Sequence, residues 1–521
     1  MHPDRKFVSP WLSHLFILLL VVGIVFRFSN LDHKIYWHDE VVTSARITGH
    51  SGEEFRQHVI DGHLVSVDEL QQYQRLTPEK DLDDLLHSLA IEDAHHPPLY
   101  YVLMRFWVQL WGSSSVTITR SLSALFSLLA FPCLYWLCLE LFEAPATGWM
   151  AMALLAISPL HLLYAQEARQ YSLWGVTTLL SSAALLRALR VKSITSWGVY
   201  AITLALGFYT FLLSALVAIA HGLYTILTGH RRWLKTIPAY LLASLGGVLL
   251  FAPWMLMLIN NWFKVRQATA WTLNSTSKIG LVKSWIYNLI ALFIDFGLER
   301  QYPYVFWVAI PMLLLLIYAL YSLCRQTPKQ TWLFVVLLIG VTSLPLILPD
   351  LMWGGQRSIS ARYFIPSYIG IHLVVAYLLT DKLTQVRAIQ QKIGWFLATI
   401  LIVGGVVSCG MISQAQVWWH HAIGRDNPQI AEIINQVPNP LVITTLANSN
   451  PGNLIGLSYL LEPSVKFQLV RDPDLPRIPS EFRDVFLFHP SETLRQGIEQ
   501  EYNTSAEPIG QSTLLKLKYL H

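Results

Sequence analysis

Charge is what this sequence is short of. Only 13% of its residues are Asp, Glu, Lys or Arg, against roughly a quarter in a soluble globular chain. With apolar runs of about 20 residues recurring along the chain, that deficit argues against a soluble protein and predicts a polytopic membrane protein. Cysteine is scarce as well. Cys133, Cys138, Cys324 and Cys409 all sit in apolar runs, with no CxxC and no Cys/His metal spacing, so they read as small core residues. There is no basic low-complexity tract, and the formal net charge is only +4. Nucleic acid is therefore not an expected partner. No internal repeat of fixed period occurs.

What is abundant is hydrophobic residues, at 53%. Apolar segments fall near 11–28, 116–142, 149–165, 171–190, 197–209, 210–227, 236–259, 304–324, 331–349, 362–380 and 393–412, about eleven spans with two of them short. No small-residue cleavage site follows Phe28, so the first run reads as an uncleaved helix with a cytoplasmic N-terminus. Alternating from there puts Arg5 and Lys6, Arg187, Arg190 and Lys192, Arg231, Arg232 and Lys235, Arg325 and Lys329, and Lys382, Arg387 and Lys392 on the inside. The short outer turns hold little besides Arg169, Arg357 and Arg362. This is the positive-inside pattern.

Residues 29–97 then form a long outer loop with 14 acidic and 5 basic side chains and eight of the eighteen histidines. Leu99 to Trp111 and Ser284 to Phe296 are apolar but short, and are expected to lie on the outer membrane surface as interfacial helices. The expected organisation is mostly α: a transmembrane helical bundle over 1–412, with 29–115 as its long outer loop, and a small extracytoplasmic α/β domain over 413–521. In the tail Asn427–Gln436 reads as a helix. Leu441–Leu446, Val465–Val470, Val485–Phe488 and Leu514–Tyr519 read as strands.

Four polar clusters interrupt outer ends of apolar segments: His38-Asp39-Glu40; Glu92 to Tyr101, with His95-His96-Pro97-Pro98 inside it; Tyr164 to Ser172; and Arg357 to Tyr363. Each has a structural reading by itself. Pro97-Pro98 could break the chain before a helix, Glu167 and Arg169 could fix a tight turn, and Arg362 could snorkel to headgroups. Their convergence on one face points to chemistry. Arginine donates two parallel hydrogen bonds to phosphate. A carboxylate takes the proton of an attacking hydroxyl or amine. His and Glu together could hold a divalent metal ion, which leaves one admissible without naming its ligands. Displacement at sugar C1, with a membrane-bound phosphate as leaving group, uses all of these.

The first-loop Asp39-Glu40 pair, the later His96-Pro97-Pro98-Leu99-Tyr100-Tyr101, and Ser158-Pro159…Tyr164…Gln166-Glu167-Ala168-Arg169-Gln170-Tyr171-Ser172-Leu173 together resemble the GT-C membrane glycosyltransferases. Among these it is similar to bacterial proteins grouped with protein O-mannosyltransferases and lipid A aminoarabinose transferases, over roughly residues 10–380. The resemblance implies a polyprenyl-phosphate sugar donor, used on the non-cytoplasmic face of a bacterial inner membrane in cell-envelope chemistry. It implies Asp39 as catalytic residue, with Glu40 and Glu167 beside it in that role. Arg169, Arg362 and Tyr363 would lie at the donor phosphate; His95, His96 and Tyr171 are candidate donor or acceptor contacts, and the resemblance assigns His95 and His96 no role. The chain lacks the long tail of oligosaccharyltransferases and the luminal insertion of eukaryotic O-mannosyltransferases, so the acceptor stays open among lipid, glycan and protein. Two other classes remain: a transporter or flippase of a lipid-linked sugar, for which His221 and His372 are the midspan candidates, and a non-catalytic membrane scaffold in which Asp39 is dispensable.

Overall fold

A computed structural model describes residues 10–228, 233–297, 305–445, 450–510 and 513–519. Arg5, Lys6, Arg231, Arg232 and Leu446 lie outside the described residues. The chain forms two compact units.

The first unit comprises residues 1–29, 93–100 and 120–414 and is helical. Among the described residues, eight helices are long and apolar enough to cross a membrane, from Trp11–Phe28 to Ala388–Gln414. The other three apolar segments of the sequence are a bent pair, Pro145–Ala156 with Pro159–Ala165, and the shorter helices Ile194–Thr210 and Ser214–Thr228. The protein is thus an integral multi-pass membrane protein. The pair bends by 64° at Ile157-Ser158, where Pro159 cannot continue the helical hydrogen-bond ladder. A break inside a bilayer leaves carbonyls that need partners. Arg27 supplies them: its guanidinium donates to Ala156 O (2.5 Å) and Leu155 O (2.9 Å), and also to Gly23 O and Ser127 Oγ. One buried cation therefore holds the helix break that leads into residues 166–170.

The second unit comprises residues 30–92, 101–119 and 415–521. It holds a six-stranded sheet made of β1 (Leu64–Ser66), β2 (Pro440–Thr445), β3 (Lys466–Val470), β4 (Asp484–Phe488), β5 (Thr504–Pro508) and β6 (Leu514–Tyr519), in the order β1-β3-β2-β4-β6-β5. The central strand β2 runs parallel to β3 and β4, and the outer pairings are antiparallel. The parallel centre is buried on both faces, as its near-continuous apolar strands require. Val442, Phe467, Phe486 and Phe488 pack on one side and Leu441, Ile443, Val485 and Leu487 on the other. Edge strand β1 comes from the first loop and pairs Val65 with Phe467, joining loop and tail into one unit.

A second join lies at the helix Pro451–Ser458. Its Gly452 and Gly456, one turn apart, let the helix press on Tyr36 to His38. A Cβ at Gly452 would run into His38 Nδ1, and one at Gly456 would meet Tyr36 O at 2.5 Å. Gly452→Ala should therefore destabilise the fold by about 1–3 kcal/mol, as overpacking does. The control is Gly410→Ala, where a Cβ meets nothing within 4 Å. Thermal unfolding in detergent checks this, and equal midpoints for the two variants would contradict it.

Candidate active site

In the first unit the site is built at a helix break. Pro159–Ala165 stops at Gln166 and Tyr171–Val191 begins after Gln170, so residues 166–170 form a short turn. Gln166 pins it by donating to Phe26 O (2.8 Å) and Ser29 O (2.9 Å) at the end of the first helix. Within the turn the Arg169 amide bonds to Glu167 O at 2.7 Å, and the Glu167 carboxyl group is buried.

Arg169, itself buried, donates from Nη2 to His96 Nε2 at 3.2 Å. An arginine can only donate, so His96 Nε2 accepts and the neutral ring carries its proton on Nδ1. Nδ1 faces the Gln170 amide at 3.0 Å. The Gln170 Oε1 as placed is buried with no hydrogen-bond partner. Turning the amide over gives Nδ1–H an acceptor, so the flipped amide is the consistent assignment. Both ring nitrogens of His96 are then engaged by protein, which leaves it no lone pair for a metal. The His95 ring lies beside it, tilted by 40°, with ring centroids 4.1 Å apart.

Arg362 approaches from the turn Ala361–Phe364. Its guanidinium carbon lies 5.7 Å from the Tyr171 ring and 5.6 Å from the Tyr363 ring, while that of Arg169 lies 5.9 Å from Tyr171. Two cations thus share one buried aromatic ring. The planar donor forks of two arginines suit an oxyanion such as phosphate. Six of the nine residues singled out from the sequence, namely Glu167, Arg169, Arg362, Tyr363, His96 and Tyr171, form this constellation, and His95 adjoins it.

Asp39 and Glu40 belong to the second unit, which is described by itself. They stand in the first turn of the helix His38–Thr48 rather than in a loop, near the positive end of the helix dipole. Glu40 is fully buried and Asp39 partly exposed. Tyr36 lies just before this helix, with its hydroxyl on Ser44 Oγ and its ring 5.0 Å from that of Tyr459. Burial, followed by the neighbouring Tyr459 and Glu40, pushes the Tyr36 hydroxyl well above the usual tyrosine range, so it stays a neutral partner beside the carboxylates. Trp37 packs on His421 and His420, with centroids 5.6 and 6.2 Å away. Those two histidines were not singled out from the sequence. Their only signal there was adjacency to Trp418-Trp419 just after the last apolar run.

Residues 95–257 match the family of dolichyl-phosphate-mannose-protein mannosyltransferases. That stretch contains the whole 166–171 turn and both histidines at 95–96. A crystal structure of ArnT from Cupriavidus metallidurans bound to undecaprenyl phosphate aligns over 98% of each chain, with a TM-score of 0.53 at 12% identity. The apo form of the same protein aligns with a TM-score of 0.52 at 12% identity, over 97% of this chain and 98% of that one. This chain has the GT-C fold. An Archaeoglobus fulgidus oligosaccharyltransferase aligns at a TM-score of 0.49 and 12% identity, over 87% of this chain and 64% of that one. No curated protein matches by sequence. The GT-C resemblance read from the sequence is therefore borne out. At these identities the structural likeness is one of fold, and it leaves sugar and acceptor open.

Proposed function

We propose that this GT-C protein is a glycosyltransferase that moves a sugar from a polyprenyl-phosphate donor to an acceptor at the non-cytoplasmic face of the membrane. The observation that carries the reading is the pair of arginines flanking Tyr171. They can meet a phosphate monoester or diester with several charge-assisted hydrogen bonds. That undecaprenyl phosphate was bound to ArnT supports the same class of donor.

In the proposed reaction Arg169 and Arg362 hold the donor phosphate, with Tyr171 and Tyr363 lining it and His96 fixing Arg169. Asp39 accepts the proton of the acceptor hydroxyl or amine as that group attacks sugar C1 from the side opposite the phosphate. The C1–phosphate bond breaks, the arginines take up the charge that develops on the leaving oxygen, and the anomeric configuration inverts. Glu40 supports Asp39, and Glu167 is the next carboxylate in line. His95 remains a donor or acceptor contact. The acceptor is a lipid, glycan or protein of the cell envelope, and any divalent ion would act on the leaving phosphate.

Transport is the competing reading, and one experiment separates them. Purified protein in vesicles is given a panel of labelled polyprenyl-phosphate sugars. The transferase releases polyprenyl phosphate from one of them. Intact donor crossing the bilayer without release would make the protein a flippase instead. The proposed orientation is tested by labelling engineered cysteines from outside. Glu481→Cys, on the exposed surface of the second unit, should react and Arg387→Cys, in the exposed turn after Leu383, should not. The reverse pattern would put the arginine pair on the cytoplasmic side.

A further inference from the structure

Asp350 sits in the last turn of the helix Lys329–Trp353, between Pro349 and the helix end. Three things are wrong with an acidic residue there on ordinary grounds. It ends an apolar membrane helix, its charge opposes the negative end of the helix dipole, and its side chain is fully buried. A buried carboxyl group at the edge of a bilayer is retained where something is gained from it. The gain is visible in its partners. Asp350 Oδ1 accepts from Arg357 Nη1 at 2.7 Å, and Oδ2 accepts from both the amide and the hydroxyl of Ser358 at 2.7 Å.

Those bonds tie down the segment that runs into Arg362. The same segment is pinned at three further points. Gln356 bonds through its amide to Thr272 O (2.9 Å) and through its side chain to Trp271 O (2.8 Å), and Asn288 donates to Ile359 O (3.1 Å). Gly355 has φ +136°, and a Cβ there would meet Arg357 Nη1 and Asp350 Oδ1 at 2.5 Å each. The turn is therefore closed around the carboxylate with no room to spare. Two arginines of this turn looked alike in the sequence, and the structure gives them different work. Arg357 is consumed by Asp350, while Arg362, five residues on, reaches the Tyr171 ring.

We propose that Asp350 is a positioning residue for donor binding: through Arg357 and Ser358 it sets the 354–361 turn so that Arg362 is presented beside Arg169. This rests on the donor reading above. Asp350 itself touches no substrate. Its loss should therefore weaken donor binding and spare the chemical step, whereas a purely structural role would lower the amount of folded protein without splitting the two.

The test uses full-length protein and undecaprenyl phosphate as probe. Asp350→Asn keeps the shape and loses the charge, and should weaken binding of the probe roughly tenfold, about the effect of one lost charge-assisted bond. The variant should unfold at a lower temperature, as when a buried ion pair is broken, while kcat of the folded protein should change little. Arg357→Gln should do the same, and the double variant should be no worse than either single one, because both act through one contact. Hydrogen exchange gives a readout independent of the donor: amides in 354–364 should exchange faster in Asp350→Asn than in wild type. Unchanged exchange there, or faster exchange with unchanged probe binding, overturns the proposal. Wild-type protein that binds no undecaprenyl phosphate would instead sink the donor reading, and exchange alone would then decide whether Asp350 sets the turn.

Discussion

Asp39→Asn is expected to lower sugar transfer by roughly 10²–10⁴-fold, the range that a positioned general base contributes. Asparagine preserves size and most hydrogen bonding but cannot take the acceptor's proton. Position supports the role. Asp39 is in the first turn of the helix His38–Thr48, partly exposed, while its neighbour Glu40 is fully buried. The partly exposed carboxylate can meet a substrate, and the buried one can support the turn. Donor binding and expression should stay near normal, so the loss should appear in kcat. Near-wild-type transfer by the variant would move the base elsewhere, first to Glu40 and then to Glu167.

Arg169→Ala and Arg362→Ala should each weaken donor binding by roughly 10–150-fold, corresponding to about 1.5–3 kcal/mol for a hydrogen bond to a charged group. Arg362→Lys should recover only part of this, because an ammonium keeps the charge but not the planar fork. Arg169 has a second duty toward His96, so its loss should also disturb the 166–170 turn. Equilibrium binding of undecaprenyl phosphate by the purified variants measures both effects. Wild-type affinity in both alanine variants would remove the phosphate assignment.

How much of this was legible before the structure depends on the range of the forces involved. Local signals read well. The Leu99–Trp111 helix was placed to the residue, and four strands of the tail were placed to within a residue or two, because an apolar run between turn residues is a local pattern. The 164–172 cluster read as the end of a span because a run of polar residues interrupts apolar segments, whereas the 64° bend before Pro159 falls inside the apolar run 149–165 and did not read. Long-range pairings did not read. Strand β1 is three residues long and exists only because Phe467 offers a partner for Val65, and β5 exists by pairing with β6. Gly452, which follows Pro451 as turn punctuation in the sequence, proves to be a contact point for His38, and Gly456 is one for Tyr36. Arg27 carried no signal in the sequence, and it caps carbonyls 128 and 129 residues away. The Asp39-Glu40 stretch read as loop because its helix carries two carboxylates and little apolar periodicity. It is helical because its buried side, including Val41 and Ile47, has the second unit's core to pack on.

The most direct measurement is nuclear magnetic resonance of the sugar product formed by wild-type protein from a polyprenyl-phosphate sugar of defined anomer, with water or acceptor as the attacking group. Single displacement with Asp39 as base predicts free polyprenyl phosphate and a freshly formed product of inverted anomeric configuration. A product that keeps the donor's configuration would contradict single displacement and call for a covalent carboxylate intermediate. Donor recovered intact across the whole panel would contradict glycosyl transfer itself.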